Sequence, residues 1–143
     1  MRKFRDLLLT AFTYRILFFV VIVLALTSVD VLVSTTNDTV GYLSHLKNLR
    51  DEGFIRAGYR QAGYPIFFYF AGNIGDLLGT DILFSIVLCQ RLLLFFALLF
   101  AVFLLPLSCA TFAIVFCANP MVVNLTNRLY PEGILVPLAL MIG

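Results

Sequence analysis

Apolar and polar positions fall in long blocks along this chain. Residues 16–35 form an apolar run about twenty residues long, enough for one helix across a hydrocarbon layer about 30 Å thick. From Asp38 to Gly53 the pattern changes. Val40, Leu43, Leu46 and Leu49 recur at three-residue spacing, while Lys47, Asn48, Arg50, Asp51 and Glu52 take the other faces. That spacing predicts an amphipathic helix, too polar to span, lying flat on a membrane surface. Asn37 or Asp38 can cap its start, and Gly53 suits its end. Residues 53–63 are glycine-rich and aperiodic, which predicts a loop. Residues 65–79 are apolar but short and glycine-rich, and predict a second interfacial or partly inserted helix ending near Gly79.

A long apolar stretch then runs from Ile82 to Ala118, interrupted by Pro106 and Ser108. It is too long for one crossing and suits two antiparallel ones, at 84–105 and 109–125, joined by a tight turn at Leu105-Pro-Leu-Ser108. Asn119-Pro120 is expected to kink the second of these. Residues 124–133 are polar, and Ile134 opens a fourth apolar helix that covers half a crossing by Gly143. The predicted fold is all-α and polytopic. It has three full transmembrane helices and part of a fourth, with amphipathic interfacial helices in a long first external loop. Residues 1–143 read as a single membrane domain, expected to be the N-terminal part of a larger protein.

Composition agrees with that class. The 143 residues are 62% hydrophobic and 13% charged, against about half and a quarter in a typical soluble domain. The net charge of +2 comes with no basic stripe, which gives nucleic acid no binding surface. Cys89, Cys109 and Cys117 all lie in apolar runs without a C-x-x-C pair, so they read as buried inert thiols. His45 is the chain's 1 histidine, which excludes a multi-histidine metal site within it. Arg2, Lys3, Arg5 and Arg15 crowd the N-terminal side of the first run. By the positive-inside rule they place the N-terminus in the cytoplasm, make the run an uncleaved signal anchor, and put the first long loop outside.

With that topology Asp38, Arg60, Arg128 and Glu132 fall on one side. Asp38 reads either as a helix cap or as a general base facing a cavity. Arg60 and Arg128 offer planar recognition of phosphate oxygens, or plain attraction to lipid headgroups. Glu132, in Leu-Tyr-Pro-Glu-Gly133, is either an ordinary first-turn residue or a second carboxylate of an active site. Asp30 and Arg91 lie at matching depths within their apolar runs. A charge there is costly unless paired, which predicts a structural pair between the first two crossing helices.

The order of these features resembles the start of the GT-C superfamily of membrane glycosyltransferases, which includes protein mannosyltransferases and aminoarabinose transferases. The resemblance rests on a signal anchor followed by Asp38-Thr-Val-Gly-Tyr42, an amphipathic helix, and Arg60-Gln-Ala-Gly-Tyr-Pro65. An apolar segment ending in Leu-Leu-Gly79 follows, then Arg91, Asn119-Pro120, and Glu132 at the start of the fourth helix. It covers about residue 10 to 143. Family members are several times longer, and some carry an acid where this chain has Arg60-Gln61.

The resemblance implies sugar transfer from a polyprenyl-phosphate-linked donor to an acceptor on the external face of a bacterial inner membrane or an ER-type membrane. Asp38 would take the acceptor proton, Arg60 or Arg128 would stabilise the departing phosphate, and Glu132 would bind acceptor or a divalent metal. The partners implied are the lipid bilayer, the lipid-linked donor, and the remaining C-terminal part or another membrane subunit. The competing expectation is a non-enzymatic subunit or scaffold of a transporter or other assembly.

Overall fold

Asp81 starts the helix around which the rest is arranged. Its carboxylate accepts from the main-chain N–H groups of Leu83 at 2.9 Å and Phe84 at 3.1 Å, the capping that a helix start requires. The helix then runs Ile82–Leu104 and stops before Pro106. The computed structural model describes residues 2–35, 37–53, 63–117, 119–129 and 131–142. Among these the chain forms seven helices: α1 (Arg2–Thr27), α2 (Asn37–Glu52), α3 (Gly63–Leu78), α4 (Ile82–Leu104), α5 (Leu107–Cys117), α6 (Pro120–Leu125) and α7 (Glu132–Ile142). No strand occurs among the described residues; the nearest thing is a single parallel bridge between Ser34 and Arg128.

α4 is the axis, packed against α1, α3, α5 and α7, while α2 packs on α3. Two apolar clusters sit along it. One holds Tyr42, Leu46, Tyr64, Phe68, Ile86, Val87, Leu129 and Ile134. The other holds Ile22, Leu26, Leu94, Leu98, Val102, Ile114 and Val123. Gln90 and Arg91 are both buried and lie between Val87 and Leu94 on α4, so a polar layer separates the two clusters. α1 and α4 are each long and apolar enough to cross a membrane.

Several boundaries differ from the sequence reading, each for a physical reason. The first helix ends at Thr27, well short of residue 35, because residues after it leave the helix to pair with another segment. Ser34 N–H donates to the Asn127 carbonyl at 2.9 Å, and Leu129 N–H donates to the Ser34 carbonyl at 3.4 Å. The expected crossing at 109–125 is two short helices, since the Asn119 side chain caps Met121 N–H at 2.9 Å and Pro120 begins a new helix, α6. α2 buries Thr39, Tyr42 and Leu46, while Val40, placed on the apolar stripe, is exposed. The helix turns its aromatic residue onto Tyr64 and Phe68 of α3. The loop expected at 53–63 falls, from 54 to 62, outside the described residues.

α3 ends where Gly79, at φ +67°, lets Thr80 N–H reach back to the Gly75 carbonyl at 2.9 Å. α3 also approaches α4 closely. A Cβ on Gly75 would lie 2.9 Å from the Ser85 Cβ, and Ser85 is held by hydrogen bonds to the Thr80 hydroxyl at 2.7 Å and the Asp81 carbonyl at 2.8 Å. Gly75→Ala is therefore expected to lower stability by about 1–3 kcal/mol through overpacking. Gly63→Ala, where nothing lies within 4 Å of the added carbon, should change it by less than about 0.5 kcal/mol. Unfolding midpoints of the two variants in detergent check this; equal shifts would show that the helix contact is not tight.

Candidate functional site

The polar layer on α4 has two parts, and each joins elements distant in sequence. Arg91 is 8% exposed, and its side chain collects the end of α1. Its Nη1 donates to the carbonyls of Leu26 at 3.3 Å and Val29 at 2.6 Å, and its Nη2 to the carbonyl of Asp30 at 3.2 Å and to Asn127 Oδ1 at 2.7 Å. Asn127 in turn donates from Nδ2 to the Asp30 carbonyl at 2.8 Å and to Asn124 Oδ1 at 3.0 Å. The reason lies in the helix end. The last carbonyls of a helix have no partner within it. Here Ser28 N–H takes Leu24 at 2.9 Å, the Ser28 hydroxyl takes Ala25 at 2.8 Å, and Arg91 takes Leu26.

Asp30 and Arg91 thus meet, but through the main chain of Asp30. The carboxylate itself is exposed, because Asp30 lies beyond Thr27 and outside the helix in which the sequence reading had put it. Midway along α1, Arg15 Nη1 donates to the Phe103 carbonyl at 2.7 Å near the end of α4, where free carbonyls favour a cation.

The second part is built on Gln90, Tyr64 and Gly133. Gln90 Nε2 donates to the Tyr64 phenol oxygen at 2.7 Å, and both side chains are buried. A Cβ on Gly133 would lie 2.5 Å from Gln90 Nε2, so α7 can pass this close only with glycine there. Tyr42 packs edge-on against Tyr64 with ring centroids 4.8 Å apart. Burial pushes the Tyr64 phenol well above the usual tyrosine range; the Gln90 hydrogen bond opposes this less strongly, and Tyr42 and the charge of Glu132 push it further up. Tyr64 therefore stays a neutral hydroxyl that accepts from Gln90 and retains its own proton to donate.

The remaining candidates divide. Glu132 is exposed and opens α7, with Ile134 and Leu135 N–H both donating to the Pro131 carbonyl, at 3.0 and 2.9 Å. A carboxylate in that first turn is favoured by the helix dipole. Arg128 is exposed and sits beside the node formed by Asn127, its main chain bridged to Ser34. Asp38 is the second residue of α2, one turn before Tyr42, and its side chain lies outside the described residues. Arg60 lies outside them altogether. Among the described residues no three of His, Cys, Asp and Glu gather closely enough to hold a metal ion.

Asn127, Gln90 and Gly133 were missed by sequence reasoning. Gln90 beside Arg91 in an apolar helix was a usable signal, since two adjacent polar residues there need partners. Asn127 and Gly133 carried none. Compared with known proteins, the chain matches no family model, no curated protein and no solved structure.

The Arg91 geometry separates two substitutions. Arg91→Met strips the donor from the carbonyls of Leu26, Val29 and Asp30 and from Asn127, at about 1–3 kcal/mol for each acceptor left buried, so a loss of at least about 3 kcal/mol is expected. Asp30→Asn keeps every one of those bonds and should shift stability by less than about 0.5 kcal/mol. Unfolding of the two variants in detergent decides it. An Asp30→Asn loss as large as that of Arg91→Met would mean the carboxylate, and not the carbonyl, holds the arginine.

Proposed function

We propose that the chain is the N-terminal part of a membrane glycosyltransferase that moves a sugar from a polyprenyl-phosphate donor to an acceptor on the external face. The observation that carries this reading is the Tyr42–Tyr64 contact, with Glu132 close enough for its charge to act on Tyr64. Asp38 stands one turn before Tyr42 on α2. The aromatic pair joins α2, which carries one acidic candidate, to α3, and Tyr64 in turn meets Gln90 of α4, against which the start of α7 packs at Gly133 beside the other. The two are 94 positions apart in sequence.

In this reading Asp38 takes the proton from the acceptor hydroxyl as its oxygen bonds to the anomeric carbon. The bond from that carbon to the phosphate oxygen breaks, and the lipid phosphate leaves with the electron pair. Arg128, exposed and without a side-chain hydrogen bond among the described residues, stabilises the charge that grows on the phosphate, together with Arg60. Glu132 orients the acceptor. Tyr64 is the neutral donor behind it, fixed by Gln90. α1 and α4 cross the membrane with the N-terminus in the cytoplasm, where Arg2, Lys3, Arg5 and Arg15 favour it.

The test is transfer of label from a polyprenyl-phosphate sugar by the chain reconstituted in vesicles. Asp38→Asn and Glu132→Gln are each expected to lower transfer by about 10²–10⁴-fold, the scale of general acid–base catalysis. Arg128→Ala should raise the KM for the donor. Wild-type vesicles that transfer no more label than empty ones, or variants equal to wild type, would remove the enzymatic reading and leave a subunit or scaffold in its place.

A further inference from the structure

The polar layer ends in one carboxylate, that of Asp30, which accepts no hydrogen bond among the described residues, and an apolar groove runs up to it. α1, the residues after it and α4 enclose about 560 Å³, walled by Val23, Leu26, Leu92 and Phe95 and bounded at the polar layer by Asp30 and Arg91. That volume lies within the range of about 300–1,000 Å³ typical of sites for a single small ligand. The walls belong to the two helices that are long and apolar enough to cross a membrane. The apolar part of the groove therefore opens toward acyl chains. Its charged end lies just past Thr27, where the apolar stretch of α1 stops.

The charges at that end are unequally satisfied. The Nη1 and Nη2 groups of Arg91 are spent on carbonyls and Asn127, and its Nε is buried without a partner. Among the described residues the carboxylate of Asp30 receives no hydrogen bond, only its carbonyl being used, and it meets Arg91 through charge alone. The groove thus offers a fixed cationic field from Arg91 and, next to it, a free carboxylate.

We propose that this groove binds one phospholipid with a primary-amine headgroup, of the phosphatidylethanolamine class. An acyl chain lies along Val23, Leu92 and Phe95, the phosphate sits over the Arg91 end, and the ammonium donates to Asp30. Guanidinium and carboxylate side by side nearly cancel, so a purely anionic headgroup gains little and meets Asp30 as a like charge. A choline headgroup has no N–H to donate, and quaternary ammonium groups are held by aromatic cages, whereas Phe95 is the one aromatic residue lining this groove. A primary ammonium alone makes a charge-assisted hydrogen bond to the carboxylate. This binding goes beyond the sugar-transfer reading and does not depend on it.

The experiment loads the purified full chain with equal amounts of phosphatidylethanolamine, phosphatidylcholine and phosphatidylglycerol in mixed micelles. Retained lipid is then counted by native mass spectrometry. Wild type is expected to retain the ethanolamine lipid roughly tenfold over the other two, the scale of one charge-assisted hydrogen bond. Asp30→Asn should bring it down to the level of the choline lipid. Leu92→Trp, which fills the groove from an exposed position, should lower all three, with helix content by circular dichroism unchanged in both variants. Equal retention of the three lipids by wild type, a preference for the glycerol lipid, or undiminished retention in Asp30→Asn would each overturn the proposal. Leu92→Trp retaining the ethanolamine lipid as wild type does would overturn the groove as its seat.

Discussion

A guanidinium placed in the middle of an apolar helix must find acceptors, and much of this molecule follows from how Arg91 finds them. It cannot stay unpartnered at 8% exposure, and among the described residues no carboxylate oxygen accepts its hydrogen bonds. It takes main-chain carbonyls, which are available only where a helix has stopped. That requirement fixes where α1 ends against α4, and it draws in the segment after α1 through Val29 and Asp30. Asn127 completes the set and brings the end of α6 to the same point. One side chain on the central helix thereby positions two segments distant in sequence, residues 26–30 and Asn127. Irregular backbone beside apolar helices is tolerated only when its polar groups are satisfied within the protein. Arg91 and Asn127 do that for Asp30, and the Ser34 pairing does it for the next turn of chain.

The helices were legible from apolar periodicity, and the interruptions from proline and glycine: Pro106 after α4, Pro120 opening α6, Gly53 and Gly79 at positive φ. What hydropathy misread was the end of α1. Val31, Leu32 and Val33 look like the continuation of a helix, yet their segment leaves it because Asn127 and Leu129 offer main-chain partners. That competition is between segments about a hundred residues apart, and a local window cannot register it. The stripe on α2 failed for a similar reason. Val40 is as apolar as its neighbours, but the aromatic contacts of Tyr42 with Tyr64 and Phe68 choose the face that turns inward. Of the candidate site, Arg91 and Glu132 could be singled out by type and place. Gln90 acquires its meaning only from Tyr64 and Gly133, residues brought to it by the fold.

The polar layer also explains why the two apolar clusters stay distinct. Below it, Leu94, Leu98 and Val102 face Ile22 and Leu26 of α1 and Ile114 and Val123 beyond. Above it, Ile86 and Val87 face α2, α3 and the start of α7. Apolar contact alone would let α1 slide along α4, since one leucine serves as well as the next and lipid competes on equal terms. Two polar contacts near the ends of the shared interface remove that freedom: Arg91 with Leu26 at one end and Arg15 with Phe103 at the other. They are directional where the apolar contacts are not, so register is set by a few hydrogen bonds and filled in by packing.

The same division bears on where chemistry can be done. The upper cluster is bounded by the layer below and holds polar groups, Tyr64 and Gln90, that pack closely enough to require glycine at position 133. Tyr64 keeps its proton because it is buried, and its oxygen accepts from Gln90. A neutral donor held this firmly changes nothing when the surface charges around it titrate. Arg91, one position further along α4, fixes the end of α1 in the same frame. Gln90 and Arg91 are adjacent on one helix, so the start of α3, the start of α7 and the end of α1 are held in register by neighbouring residues. A shift of α4 along its axis would disturb both together, and neither can adapt without the other.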